Sequence, residues 1–247
     1  MVISSLKAFT GKLFNRIGLT HNSQLSVGSH YSGVDWHRLA EQFFELRNLC
    51  IVASFYPLLW LLGDIIFDNL GSNPIQALHI RLGDWSLRFL CFTLAITPIQ
   101  KFTKWPRMST FRQLFGLFAF FYATLHLMAY LWLDHALRWR VIIVDIVESS
   151  YLWFGIVGYI VIFLLAITSS KAAKKWMGKA WKKLHQYIYL ASVAVIIHYF
   201  WQLKGNLLQP IFYAFIVFLL LSFRAIGWLR NKYLSRLMVP KSRSIED

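Results

Sequence analysis

The sequence predicts an all-α integral membrane protein, a bundle of six transmembrane helices with both termini on the cytoplasmic side. Three observations predict it. Of the 247 residues, 57% are hydrophobic and only 15% are charged, with a mean hydropathy of +0.49, which is too apolar for an ordinary soluble domain. Six runs approach the roughly 20 residues needed to cross a hydrocarbon core about 30 Å thick. The 26 Lys and Arg are also divided unevenly among the segments that join those runs. The runs are continuously apolar rather than alternating, so helices are predicted and not the strands of a barrel.

The N-terminal extension, residues 1–48, shows no sustained apolar stretch followed by a small-residue cleavage site in its first 30 positions, so no secretory leader is expected. Its end, Asp35 to Asn48 (DWHRLAEQFFELRN), reads as a short amphipathic helix lying on the inner membrane surface. The six spans follow as Leu49–Phe67, Leu82–Pro98, Phe111–Leu133, Tyr151–Thr168, His185–Trp201 and Pro210–Ile226. Residues 49–226 are thus one transmembrane domain, and 227–247 a basic cytoplasmic tail. Cys50 and Cys91 fall in different spans, where a small apolar role is expected rather than a disulfide. No internal repeat or low-complexity tract is visible.

Charge sets the orientation. Twenty-one of the 26 basic residues lie on one face: five in the N-terminal segment, four from Lys101 to Arg112, six from Lys171 to Lys183, and six from Arg224 to Arg243. The other face keeps Arg81, Arg88, Arg138, Arg140 and Lys204. By the positive-inside rule both termini are cytoplasmic, a parity that six spans satisfy. The net charge of +15 therefore reports topology and a surface for anionic lipid or a protein partner, not a nucleic-acid site.

Three histidines, His126, His185 and His198, lie in or against these apolar helices. An ionisable side chain inside a span is a functional candidate, and imidazole is a common ligand of haem iron. His126 comes 15 residues after Phe111, and His198 comes 15 after Lys183. Both stand about 22 Å up parallel helices, toward the outer leaflet. Facing imidazoles at one depth are what a bis-histidine haem requires. His185 lies 13 residues before His198, about 20 Å lower and close to the inner interface. At about 100° per residue it does not share a helical face with His198, so either the helix is distorted or the two address different cavities. The other five are weaker candidates: His21, His30 and His37 in the N-terminal segment, His135 at the outer end of the third span, and His79 as an exposed loop residue before the second.

On these residues alone three functions stay open: a haem electron carrier, a quinone-linked cytochrome b or ferric reductase, and a proton or ion transporter using the histidines as relays. A histidine in a bundle also serves simply to hydrogen-bond across to a neighbouring helix. No P-loop and no dinucleotide-binding glycine motif occurs, and the loops leave no room for a nucleotide domain. Redox chemistry here would draw its electrons from another chain.

Several motifs carry a family resemblance. The run Trp176-Met177-Gly178-Lys179-Ala180-Trp181-Lys182-Lys183-Leu184-His185-Gln186-Tyr187-Ile188-Tyr189-Leu190, followed by Ile197-His198-Tyr199, resembles the fifth-helix signature of the MsrQ family. Gly83-Asp84-Trp85, Ala95-Ile96-Thr97-Pro98 and Ala123-Thr124-Leu125-His126-Leu127 match as well. These are the haem-binding membrane subunits of the bacterial periplasmic methionine sulfoxide reductase system, within the ferric reductase-like transmembrane superfamily. The resemblance covers roughly residues 49–230 and implies an electron conduit in the bacterial inner membrane. One or two b-type haems, the second at His185, would take electrons from a cytosolic NAD(P)H-dependent flavin reductase, with flavin mononucleotide also implicated. The electrons would pass to a periplasmic molybdopterin-containing methionine sulfoxide reductase subunit, which restores the thioether in oxidised proteins. The family's three histidine ligands fall on His126, His185 and His198, and Arg112 and Trp181 become candidate contacts to a haem propionate or a flavin. This chain departs from the pattern at the start of the third span, where Arg112 is followed by Gln113 instead of a second arginine. Related oxidases also place a second histidine 13 or 14 residues before that of the third helix, where this chain has Gln113 and Arg112.

Overall fold

Helix α1 (Trp36–Ile66) opens the part of the chain that a computed structural model describes, residues 36–202 and 207–237. The chain divides into two units, Met1–Phe43 and Phe44–Asp247. Only the first turns of α1 are described in the former, and the expectations for residues 1–35 lie outside the described residues. The short surface helix expected over 35–48 is not a separate element: from Trp36 onward these residues are the start of α1. No Gly or Pro occurs between Trp36 and Tyr56 to stop it.

Helix α2 (Pro74–Thr103) begins eight residues before the predicted Leu82. Its start follows from local chemistry: Pro74 presets the first helical φ, and the Asn73 side chain accepts the Gln76 N–H at 3.2 Å. The added turns bring His79 into the bundle, where it is 7% exposed. The expectation of an exposed loop histidine is therefore overturned. Helix α3 (Ser109–Ala129) runs into a π-helical turn, Tyr130–Asp134. Ala136 and Leu137 then adopt left-handed φ values of 47° and 56°, a costly conformation for non-glycine residues. Helix α4 (Trp139–Glu148) was not anticipated: its apolar stretch is too short for a span, and only Ile142 is buried.

Helix α5 (Ser150–Ile167) coincides with the fourth predicted span. The basic loop after it folds as two short helices, α6 (Lys171–Met177) and α7 (Lys179–His185). They are separated by Gly178 at φ 52°, ψ −120°, a backbone state essentially confined to glycine. Helix α8 (Ile188–Gln202) starts after a turn at Gln186 and Tyr187, and α9 (Leu208–Leu237) ends the described chain. The predicted fifth span is thus broken just after His185, which accounts for its spacing from His198.

The six apolar runs fall on α1, α2, α3, α5, α8 and α9. Four segments are long and apolar enough to cross a membrane: Phe43–Ile66, Ser109–Asp134, Ser150–Ile167 and Leu208–Leu234. Helix α8 has only 15 residues, and α2 carries Arg81, Asp84, Arg88 and Lys101. The tightest packing joins α2 to α3 and α5 to α8. At the centre of the first pair Phe89, 3% exposed, stacks on Tyr122 and Phe118 with ring centres 5.3 and 5.5 Å away. The Tyr122 hydroxyl donates to the Ser54 carbonyl at 2.8 Å and so ties α1 to α3.

Candidate functional site

The two packed pairs, α2 with α3 and α5 with α8, wall a cavity of about 760 Å³ that contains both His126 and His198, within the usual range for small-molecule and cofactor sites. The two rings are perpendicular, with centres 6.3 Å apart. The His126 Nδ1 lies 3.1 Å from the carbonyl of His79 on α2. The His198 Nδ1 lies 2.9 Å from the carbonyl of Tyr151 on α5. A carbonyl only accepts, so each Nδ1 carries the proton and each Nε2 keeps its lone pair. No hydrogen bond engages either Nε2 among the described residues. Holding one imidazole nitrogen on a carbonyl to free the other is the usual way a protein prepares a histidine for a metal.

Glycines make this approach possible. Gly83 of α2 faces the His126 ring and Gly155 of α5 faces the His198 ring. Each lies four residues after the carbonyl that accepts the Nδ1–H. The repeat that the sequence seemed to lack exists here as geometry. Sequence reading quoted Gly83 only within the Gly83-Asp84-Trp85 motif and gave Gly155 no place, although each stands 43 residues before its histidine.

The cavity lining holds further groups that sequence reading ranked low or missed. His79 meets His126 edge-on at 5.3 Å, and its Nε2 is 2.8 Å from Asp134 Oδ2, though not aligned for a hydrogen bond. Asp145 of α4 accepts from the Tyr130 hydroxyl at 2.7 Å and the Ser149 hydroxyl at 2.9 Å. His135 Nε2 stands 3.3 Å from it. Burial alone would raise the Asp145 carboxyl, but those hydrogen bonds and the facing His135 outweigh it and hold the group below the ordinary carboxylate range. The π-helical turn supplies Tyr130 and Asp134, and such turns concentrate at functional sites.

His185 faces a second cavity, of about 900 Å³, together with Arg112 and Trp181. The Trp181 indole stacks on the His185 ring at 4.0 Å and donates to the Thr168 carbonyl at 2.9 Å. The His185 Nε2 lies 3.2 Å from the Thr168 hydroxyl. Arg112, Lys171, Lys174, Lys179, Lys182 and Arg224 line the same cavity. The histidine cavity, by contrast, has no Lys or Arg among the described residues that line it. The structure thus joins His126 with His198 and sets His185 apart with Arg112 and Trp181. Ile162 borders both cavities.

Residues 82–196 match the ferric reductase like transmembrane component family. The chain is 35% identical over 192 residues to the protein-methionine-sulfoxide reductase heme-binding subunit MsrQ of Herminiimonas arsenicoxydans, covering 76% of this chain and 88% of that protein. The chain belongs to the MsrQ family. MsrQ of Polaromonas naphthalenivorans (strain CJ2) is 39% identical over 181 residues, 72% of this chain and 83% of its own length. MsrQ of Rhodospirillum rubrum is 37% identical over 187 residues, 75% and 90% respectively. The stretch that matches the family, from Leu82 on α2 to Ile196 on α8, takes in Arg112, His126, Trp181 and His185 and stops two residues before His198, and the MsrQ membership accords with an all-helical membrane protein.

Proposed function

We propose that this protein is a six-span electron carrier of the inner membrane, with both termini cytoplasmic, that holds haem b between His126 and His198. Its donor is a cytosolic NAD(P)H-dependent flavin reductase. Its acceptor is a periplasmic molybdopterin-containing methionine sulfoxide reductase subunit. The observation that carries this reading is the pair of imidazoles 6.3 Å apart, each proton-bound to a carbonyl through Nδ1 and free at Nε2.

The residues fit the group. Two neighbouring imidazoles whose Nε2 atoms have no hydrogen-bond partner among the described residues are the donor set that a haem iron would take. No group of three or more His, Cys, Asp or Glu gathers as a metal site among the described residues. Two protein ligands without a third suit an iron whose remaining positions are filled by a macrocycle. Haem b bound there would supply one-electron storage. The chain's own part is to fix the two rings, to exclude water through the apolar walls of α2, α3, α5 and α8, and to insulate the site from the basic cavity with Ile162.

We assign His185 to the basic cavity, where electrons enter. No other histidine lines that cavity among the described residues, so an iron there would take its second ligand from another residue type. Arg112, Lys174 and Arg224 beside the Trp181–His185 stack suit a phosphate joined to an aromatic ring, and they are the residues that would hold flavin mononucleotide. The name borne by the relatives, a heme-binding subunit of protein-methionine-sulfoxide reductase, supports the acceptor.

The test is a reduced-minus-oxidised optical spectrum of the purified protein, with His126→Ala and His198→Ala beside it. A low-spin haem spectrum that collapses in both variants is expected. Normal haem content in both defeats the reading, and a colourless wild-type protein favours a transporter. Faster exchange with quinol or ferric chelates than with the flavoprotein or sulfoxide reductase favours a quinone-linked cytochrome b or a ferric reductase.

A further inference from the structure

The α2–α3 and α5–α8 pairs repeat one local construction. In each, a histidine donates Nδ1–H to a carbonyl 47 residues earlier in the chain, His126 to His79 and His198 to Tyr151. In each, a glycine follows that carbonyl by one helical turn. Within a helix the carbonyl already accepts the N–H of the glycine four residues on. A ring reaches its second lone pair only where no side chain covers the turn.

The two glycines are not equally necessary. A Cβ added to Gly83 would stand 3.4 Å from Cε1 and Nδ1 of His126, at the edge of ordinary contact. A Cβ added to Gly155 would stand 2.9 Å from Cε1 and Nδ1 of His198 and 3.4 Å from its Cγ, closer than real side chains approach. The atoms it meets belong to a rigid ring already tethered at Nδ1, so relief requires the ring to tilt or the helices to part.

We infer that Gly155 is a positioning residue for His198: its bare backbone lets the ring seat on the Tyr151 carbonyl, which fixes the tautomer and aims Nε2 into the cavity. The inference rests on the haem reading above. Gly158, one turn further along α5, supplies the control. A Cβ there would stand 2.8 Å from Val195 Cγ2, so it crowds the same helix pair without touching the imidazole.

The experiment compares Gly155→Ala, Gly158→Ala and Gly83→Ala in the full-length, haem-loaded protein by haem per chain, the low-spin electron paramagnetic resonance g values, and the midpoint potential. Expected for Gly155→Ala is a shifted largest g value and potential, with haem held at least tenfold more weakly, the usual scale for disturbing what orients a metal ligand. Gly158→Ala lowers thermal stability but keeps the wild-type g values, and Gly83→Ala, with its looser 3.4 Å approach, shifts them less than Gly155→Ala does. Wild-type g values and potential in Gly155→Ala, or an equal shift in Gly158→Ala or Gly83→Ala, overturn the inference. Should Gly155→Ala fail to accumulate, the double variant with His198→Ala decides: without the ring to meet, it should accumulate as well as His198→Ala alone, and equal failure overturns the inference. Normal haem content in both His126→Ala and His198→Ala would instead defeat the haem reading itself.

Discussion

Replacing Asp145 with Asn should destabilise the protein by an amount that depends on pH in a definite direction. The carboxylate accepts two hydroxyl hydrogen bonds, from Tyr130 and Ser149, and faces His135. Hydrogen bonds to a charged group contribute about 1.5–3 kcal/mol each when well buried. The side chain here is 29% exposed and Asn keeps one acceptor oxygen, so the expected loss is about 2 kcal/mol, or about 4–8 °C in midpoint for a domain of this size. Because the folded-state pKa is depressed, this stabilisation is complete above the unfolded-state value of about 3.9 and is lost as pH falls through the folded value. Thermal unfolding followed by tryptophan fluorescence in detergent should therefore show a gap between wild type and Asp145→Asn near neutral pH that closes as the pH falls below about 4. A gap absent at pH 7, or one that persists unchanged in acid, contradicts the assigned role of the carboxylate in joining α4 to the π-helical turn.

Two other outcomes follow from the packing and the charge. Phe89→Ala should destabilise the α2–α3 pair by about 2–3 kcal/mol in a mixed-micelle denaturation series. That is below the 3–5 kcal/mol typical of a soluble core because lipid is as apolar as the lost contact; a change under about 0.5 kcal/mol would show that the stack does not hold these helices together. Neutralising Lys171, Lys179 and Lys182 together as Gln should slow haem reduction by the flavoprotein about eightfold at low salt, about 0.4 kcal/mol per charge near one Debye length. The difference should vanish at about 1 M salt, and salt-independent kinetics would remove the basic cavity from partner docking.

Much of this arrangement is legible in the chain because hydrophobicity and charge are additive along it. The six apolar runs locate six helices, and counting 15 residues into two of them pairs His126 with His198. The off-face spacing of His185 points to two cavities, and the break at Gln186 and Tyr187 is the form the distortion takes. What escaped has physical reasons. His79 reads as a loop residue because Arg81 and Asp84 interrupt the apolar pattern, yet the Asn73–Pro74 cap starts the helix well before it. The π-helical turn leaves no signature in the residue pattern, since it inserts one residue into an otherwise regular helix. The paired glycines left a faint one, the equal spacing of Gly83 and Gly155 from their histidines, but a spacing has no meaning until the carbonyl it exposes is seen.

The central claim is that one iron sits between His126 and His198, and the nitrogens themselves can be counted. Pulsed electron paramagnetic resonance on the oxidised protein, grown with ¹⁵N-histidine, should detect a low-spin ferric centre coupled to two labelled imidazole nitrogens. His198→Ala should leave one coupling at most. A high-spin centre or a single histidine coupling in the wild type, or two histidine couplings that survive in His198→Ala, would contradict that placement of the iron.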